Sequence, residues 1–366
     1  MENEIFTNLF VLEAANNHWG CLERGKRIVS EFAKVVLDNG VKAAIKLQFR
    51  DVDTFIHEDF KDQGDGHGLL SLPKRTRYIQ KTFRTKLGVN DFKELIEYIR
   101  SFNIIPMATP FDEKSVDLCE KFDLPIIKVA SSDLNDWSLL ARIAKTKRPV
   151  ILSSGGASEE QIDNAVKFLS SKDIVFALNH CVSKYPSEDN ELELNQIDYL
   201  KQRYPGIEIG LSTHEYTDWH SSMFISYAKG ARLWERHIDL PYPAGHEQAE
   251  VSSYCSLPHQ IDEWFKAFKK AQVMCGSLDN KRRNIDDAES KYLQALYRGL
   301  YFKRKMLKGC KIKIEDLYSA IPYQKESGHI SIRDFVDNKF ILNKDVEMDS
   351  PLTKNDILTY ISGISA

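Results

Sequence analysis

The chain has 366 residues, 42% of them hydrophobic and 28% charged, with Lys+Arg 50 against Asp+Glu 53 and a formal net charge of -3. That balance argues against a general nucleic-acid binder, which is usually basic, and no apolar run approaches the ~18–20 residues of a membrane span. The N-terminal Met-Glu-Asn-Glu lacks the features of a signal peptide. The six cysteines (Cys21, Cys119, Cys181, Cys255, Cys275, Cys310) form no CxxC, so the expectation is a cytoplasmic protein with reduced, packed thiols.

Eight short apolar runs recur in chain order: Leu9–Ala15, Ala43–Phe49, Ile104–Thr109, Pro125–Ala130, Pro149–Ser153, Ile174–Asn179, Ile207–Ser212 and Ala231–His237. Each reads as a strand buried on both faces. Amphipathic stretches lie between them: Leu22–Asn39, Asp91–Phe102, Glu113–Phe122, Asp136–Lys145, Glu159–Leu169, Glu191–Arg203 and Asp218–Lys229. Helix starts carry capping residues at Asn90-Asp91, Asp112, Asn135-Asp136 and Ser158. Strict alternation predicts α/β architecture with a parallel sheet, and eight units over roughly 255 residues match a (β/α)8 barrel. A doubly wound sheet would want a GxGxxG loop, and none occurs.

Two regions depart from the repeat. Residues 50–90 form a long second connection containing Gly64-Asp65-Gly66-His67-Gly68, of the kind that serves as a lid. Residues 256–274 read as the last barrel helix, and the polar stretch around Lys281-Arg282-Arg283 as a linker. The domain expectation is a barrel over 1–275, a linker over 276–295 and a small module over 296–366. In that module the apolar pieces Leu300–Phe302, Lys311–Ile314, Ile330–Ile332 and Phe340–Ile341 imply little helix and a core too small to be large by itself.

A barrel of this type carries its site at the C-terminal strand ends. There the chain delivers Glu13, Lys46 with Gln48, Thr109, Lys128 with Ser131, Ser132 and Asp133, Ser153-Ser154-Gly155-Gly156, His180-Cys181 with Ser183, Ser212 with His214, and Glu235 with His237. Lys46 and Lys128 lie in apolar strands, where an ammonium is costly unless it meets an anion. Hydroxyls around them suit a phosphate and a carboxylate. His214 and His237, from adjacent strand ends, suit a divalent transition metal with open positions. The same residues have plainer readings: satisfied strand-end histidines, a Schiff-base lysine at Lys128, a helix start without ligand at the Gly pair, and a packed Cys181. His57, His67, His220, His259 and His329 have no supporting context and read as surface or structural.

The strand-end strings, in order, are Glu13–Gly20 (EAANNHWG), Lys46–Phe49 (KLQF), Thr109–Asp112 (TPFD), Lys128–Asp133 (KVASSD), Pro149–Ser158 (PVILSSGGAS), His180–Pro186 (HCVSKYP), Ile209–His214 (IGLSTH) and Glu235–His237 (ERH). Tyr297–Tyr301, Lys308-Gly309, Glu315–Leu317 and Asp345–Ile357 follow in the tail. Together they resemble the sialic acid (N-acetylneuraminate) synthases, which condense phosphoenolpyruvate with an amino-sugar aldehyde. The resemblance covers nearly the whole chain. It implies a (β/α)8 barrel followed by a small antifreeze-like (SAF) domain that caps the partner's site in a domain-swapped homodimer. By position, it implies that Lys46, Thr109, Lys128, Ser131, Ser153, Ser154, Ser183 and Ser212 hold phosphoenolpyruvate. It further implies that His214 and His237 bind Mn2+, with Mg2+ or Co2+ as alternatives. Glu13 and Asp133 would stand beside the reacting carbons, and Gln48 and Tyr185 would line the pocket for a hexose-derived aldehyde.

Departures bear on the acceptor. Thr213 stands where the family has Asp. Pro243-Ala244-Gly245-His246-Glu247 and Ala249 replace Gly-Pro-Asp-His and a Ser, which moves the expected acidic group to Glu247. Ser183 replaces an Asn. Ile321-Pro322 replaces the Arg-Pro whose Arg reaches the sugar, leaving Gln324, Lys325 or His329 as candidates. The expected function is a synthase making a sialic-acid-like nonulosonic acid. The alternatives are a catalytically reduced sugar-binding barrel and a metal or Schiff-base aldolase-type lyase.

Overall fold

The computed structural model describes residues 2–61, 74–277, 279, 281–336 and 338–359. The glycine-rich string from Gly64 to Gly68, with His67, lies outside them. The chain divides into two compact units, Met1–Gly276 and Ser277–Ala366.

The first unit is a closed parallel barrel. Its strands are β1 (Leu9–Ala15), β2 (Ala43–Phe49), β3 (Ile105–Pro110), β4 (Ile126–Val129), β5 (Val150–Ser153), β6 (Phe176–Cys181), β7 (Glu208–Ser212) and β8 (Leu233–Ile238). They pair in sequence order, and β1 pairs with β8 to close the ring. A two-residue strand, β9 (Cys255–Ser256), pairs in parallel with the end of β8. The second connection holds α2 (Val52–Phe55) and α3 (Lys74–Arg84) after α1 (Leu22–Asn39). The remaining barrel helices are α4 (Val89–Ser101), α5 (Glu113–Lys121), α6 (Trp137–Lys145), α7 (Glu159–Ser171), α8 (Gln196–Arg203), α9 (Ser221–Ala228) and α10 (Pro258–Cys275).

Side-chain parity sorts each strand between two cores. Phe10, Leu12, Ile45, Leu47, Ile127 and Leu152 face outward and join the large cluster under the helices. Leu9, Val11, Ala44, Met107, Ile126, Ile151, Ala177 and Leu233 form a separate cluster with Phe6. Since strand side chains alternate, the next residues of that second parity are Glu13, Lys46, Thr109, Lys128, Ser153, Asn179 and Glu235. The barrel interior is therefore apolar at one end and polar at the other.

Three helix starts or lengths differ from the sequence expectation. Gly88, not Asn90, caps α4, and its N–H donates to the Asp91 carboxylate at 3.3 Å. The stretch expected as Glu191–Arg203 splits into a 3-10 turn at Asp189–Glu191 and the shorter α8, with Glu193 at φ 47° between them. Helix α9 starts at Ser221 because Asp218 accepts the N–H groups of His220 and Ser221 at 2.6 and 2.7 Å, forming a turn first. Asp112, Asp136 and Ser158 cap as expected.

In the second unit, part of the expected linker is helical: α11 (Asp287–Ala295), capped by Asp286, whose side chain accepts from Glu289 N–H at 2.7 Å. Two antiparallel pairs follow, β10 (Gly299–Phe302) with β11 (Leu317–Ala320), and β12 (Phe340–Leu342) with β13 (Ile357–Thr359); α12 (Ile332–Val336) lies between them. Leu300, Phe302, Leu317, Phe340 and Leu352 are central to this unit's own core. His329 is buried there and bonds Leu300 O at 2.8 Å, so its role is structural. Lys311–Ile314 and Ile330–Ile332 are not strands.

All six cysteines are free, but Cys21, Cys275 and Cys310 are exposed rather than packed. Among the described residues no helix is long and apolar enough to cross a membrane.

Candidate active site

A cavity of about 570 Å³ is lined by the polar layer at the C-terminal strand ends. Two buried lysines organise it. Lys46 Nζ donates to Thr109 Oγ1 at 2.8 Å, pairs with Glu13, and lies 3.4 Å from Glu235 Oε1. Lys128 Nζ donates to Ser153 Oγ at 2.7 Å and lies 3.3 Å from Glu235. The strand register explains these meetings: Glu13 stands opposite Lys46 on one side and His237 on the other, and Ser212 stands opposite Glu235. The backbone of β1 shifts register after Glu13, and Ala15 N–H donates to Glu13 Oε1 at 2.6 Å, which fixes the carboxylate.

Electrostatics follow from burial. It pushes the Lys46 ammonium down to about 7 against the pull of Glu235. Burial works to raise the Glu235 carboxyl, but Lys128 and Lys46 outweigh it and hold it below its usual range. Burial also raises the Cys181 thiol, so it stays protonated, in keeping with a packed residue. Asp133 rises to about 6 through burial; its Oδ1 accepts from Ser132 at 2.9 Å and its buried Oδ2 has no partner among the described residues.

The hydroxyl set is partly as expected. Ser131, Ser153, Ser183 and Ser212 line the cavity, as do Gln48 and Tyr185. Gly155 makes room for two of them: a Cβ there would come 2.2 Å from Ser183 Oγ and 2.8 Å from Ser131 Oγ. Ser154 differs; its hydroxyl donates to Asn179 O at 3.1 Å and it is not part of the lining. Asp133 and Glu247 are not part of it either, and Glu247 pairs with Arg84 at the end of α3. Gln324 belongs to the second unit. Thr213 donates to Glu215, a buried carboxylate held by Arg236 at 2.6 Å, so this departure serves a structural pair.

His214 and His237 have ring centroids 5.4 Å apart, with Tyr185 at 4.1 Å from His214 and Tyr254 at 5.3 Å from His237. Burial lowers His214 to about 4 and His237 further, so both rings are neutral. His214 Nδ1 lies 3.0 Å from Val182 O. A carbonyl only accepts, so Nδ1 carries the proton and Nε2 keeps its lone pair, the arrangement metal-binding histidines use. The pair fits a divalent ion as two neutral donors. Among the described residues no group of three or more His, Cys, Asp or Glu forms a metal cluster.

Several lining residues have no assigned role in the sequence analysis. Glu235 is named there only as part of its strand end, although its shared parity with Leu233 and His237 puts it on the same face. Arg50, Tyr78, Lys81, Thr82 and Tyr254 come from the second connection and the last loop, where no periodicity marks them.

The NeuB family pattern matches residues 34–280. This chain belongs to the NeuB family. With that membership it is an enzyme, a synthase of the transferase type. It is 25% identical to the N,N'-diacetyllegionaminic acid synthase of Campylobacter jejuni, over 91% of this chain and 98% of the relative. It is 24% identical to the N-acetylneuraminate-9-phosphate synthase of Drosophila melanogaster, over 95% of each. A crystal structure from Chromobacterium violaceum, provisionally called spore coat polysaccharide biosynthesis protein E, superposes with a TM-score of 0.81 at 31% identity, covering 96% of this chain and 99% of that one.

Proposed function

We propose that this NeuB-family enzyme condenses phosphoenolpyruvate with a six-carbon aldose, N-acetylated in the simplest case, to give a nonulosonic acid and phosphate. The observation that carries the reading is the pair of buried lysines, each bonded to a hydroxyl, sharing one cavity with two neutral histidines. Lys46 and Lys128, with Thr109, Ser131, Ser153, Ser183 and Ser212, would hold the phosphate and carboxylate of phosphoenolpyruvate. His214 and His237 would hold the divalent ion, Mn2+ in the first instance. When bound, that ion supplies Lewis acidity at a carbonyl oxygen.

Carbon 3 of phosphoenolpyruvate attacks the aldehyde carbon, forming the new C–C bond and a hydroxyl. Water adds at carbon 2, and phosphate leaves with its bridging oxygen by C–O cleavage, leaving the 2-keto acid. Glu13, locked by Lys46 and the Ala15 N–H, is positioned to orient water or accept its proton. Asp133 at about 6 can exchange protons near neutral pH through Ser132. Lys128 acts as an anion binder, and a Schiff base is not needed. Gln48 and Tyr185 would contact the sugar.

The test is phosphate release from phosphoenolpyruvate, expected only when both Mn2+ and an acceptor are present. Absence of release across a broad panel of plain and N-acetylated hexoses and their derivatives would sink the reading. We infer also a cytoplasmic homodimer in which the tail unit, the SAF domain of the resemblance, caps the partner's site with residues such as Gln324. Sedimentation equilibrium returning a monomer would remove that part.

A further inference from the structure

The cavity holds two basic side chains beyond the lysines assigned to phosphoenolpyruvate. Four basic side chains line it, Lys46, Arg50, Lys81 and Lys128, against two carboxylates, Glu13 and Glu235. Both carboxylates are engaged by Lys46 and Lys128. Arg50 and Lys81 have no ion pair among the described residues.

Arg50 follows β2, and its guanidinium lies 3.7 Å from the centroid of Phe111 and near Tyr78. Its Nε is buried without a hydrogen-bond partner. The Tyr78 side chain hydrogen-bonds the guanidinium, while Asp133 and Asp112 act on it without forming an ion pair. Asp112 is committed elsewhere, accepting from the N–H groups of Asp51 and Ser115 at 2.7 and 2.8 Å. Lys81, on α3, has its ammonium 5.2 Å from the Trp19 ring centroid, and burial lowers its affinity for a proton. Leaving two cations in a half-enclosed cavity without an anion is costly, and a planar guanidinium is suited to the paired oxygens of a phosphate or carboxylate.

We infer that the acceptor aldose carries an anionic group away from its aldehyde, a phosphate ester or a carboxylate, and that Arg50 and Lys81 receive it. The inference rests on the condensation reading and specifies its acceptor. A neutral sugar would satisfy Gln48 and Tyr185 but bring no anion to either cation.

Calorimetry on the full chain saturated with phosphoenolpyruvate and Mn2+ separates the two ideas. The probes are three unreactive, reduced acceptors: an N-acetylhexosaminitol, its 6-phosphate and its 6-carboxylate analogue. At least one anionic probe should bind tenfold or more tighter than the neutral one, and the stronger of the two identifies the group. R50Q and K81M should each remove most of that advantage while phosphoenolpyruvate affinity stays within about twofold, which also reports correct folding. Equal binding of the three probes, no binding of any, or an advantage that survives in both variants overturns the inference. Failure of phosphoenolpyruvate itself to bind would instead overturn the condensation reading.

Discussion

Lys46 links burial directly to a measurable titration. Its ammonium sits near 7 because desolvation disfavours the charged form. An arriving phosphate or carboxylate favours the charged form again. As pH rises above 7 a growing share of the free enzyme holds a neutral Lys46, which takes up a proton when phosphoenolpyruvate binds, so affinity should decline as pH rises. Calorimetry at pH 8 in buffers of different ionisation enthalpy should register uptake approaching one proton, and little uptake from this group at pH 6. No uptake at pH 8 would mean that Glu13 keeps Lys46 charged throughout. At the same scale, Glu235 explains how two ammonium groups tolerate a common cavity before substrate arrives: it lies within ion-pair distance of both.

Helix α3 is the element through which the second connection reaches the cavity, supplying Tyr78, Lys81 and Thr82. Its apolar support is slight. Ile79 packs with Val52 and Ile56, and with Phe55 and Phe83, in a cluster apart from the main core. Asn16 adds one tie, donating to Thr85 Oγ1 at 3.0 Å. Segments with few buried contacts open at lower free energy than core strands. Hydrogen exchange should therefore find α3 amides exchanging well ahead of those in β1 and β2, and slowing once both substrates are bound. Exchange of α3 at the rate of the barrel strands would argue against a connection that closes over substrate. The length of the second connection hints at this region, but only the fold shows a helix there that brings Lys81 to the cavity.

At the scale of the whole molecule, the apolar clusters of Met1–Gly276 share no members with the one in Ser277–Ala366. All eight barrel strands and the whole polar layer belong to the first unit. A chain ending at Gly276 should thus fold, retain phosphoenolpyruvate affinity within about twofold, and lose most turnover if the tail caps a partner's site. Circular dichroism, calorimetry and a phosphate-release assay would check this, and undiminished turnover would remove any need for the cap. The buried Arg236–Glu215 pair belongs to the same unit. Arg236→Met should cost about 3–5 kcal/mol in denaturant titration, because it leaves a buried carboxylate without its partner.

The barrel and most of its polar layer are legible in the order of residues alone. Eight apolar runs with helices between them leave few other architectures. The period-two alternation that places Val11 and Met107 among the inner apolar residues also brings Glu13 and Thr109 to the polar end. The two lysines and two histidines were legible because polar residues in apolar strands demand a partner. The partners depend on three-dimensional packing. It put Glu235 within reach of both lysines, turned Ser154 toward a backbone carbonyl, paired Glu247 with Arg84, and brought Arg50 and Lys81 to the cavity. The physical reason is that alternation specifies which face of a strand a side chain occupies, whereas loop residues such as Tyr254 and irregular helices such as α3 are positioned by long-range packing that no local pattern encodes.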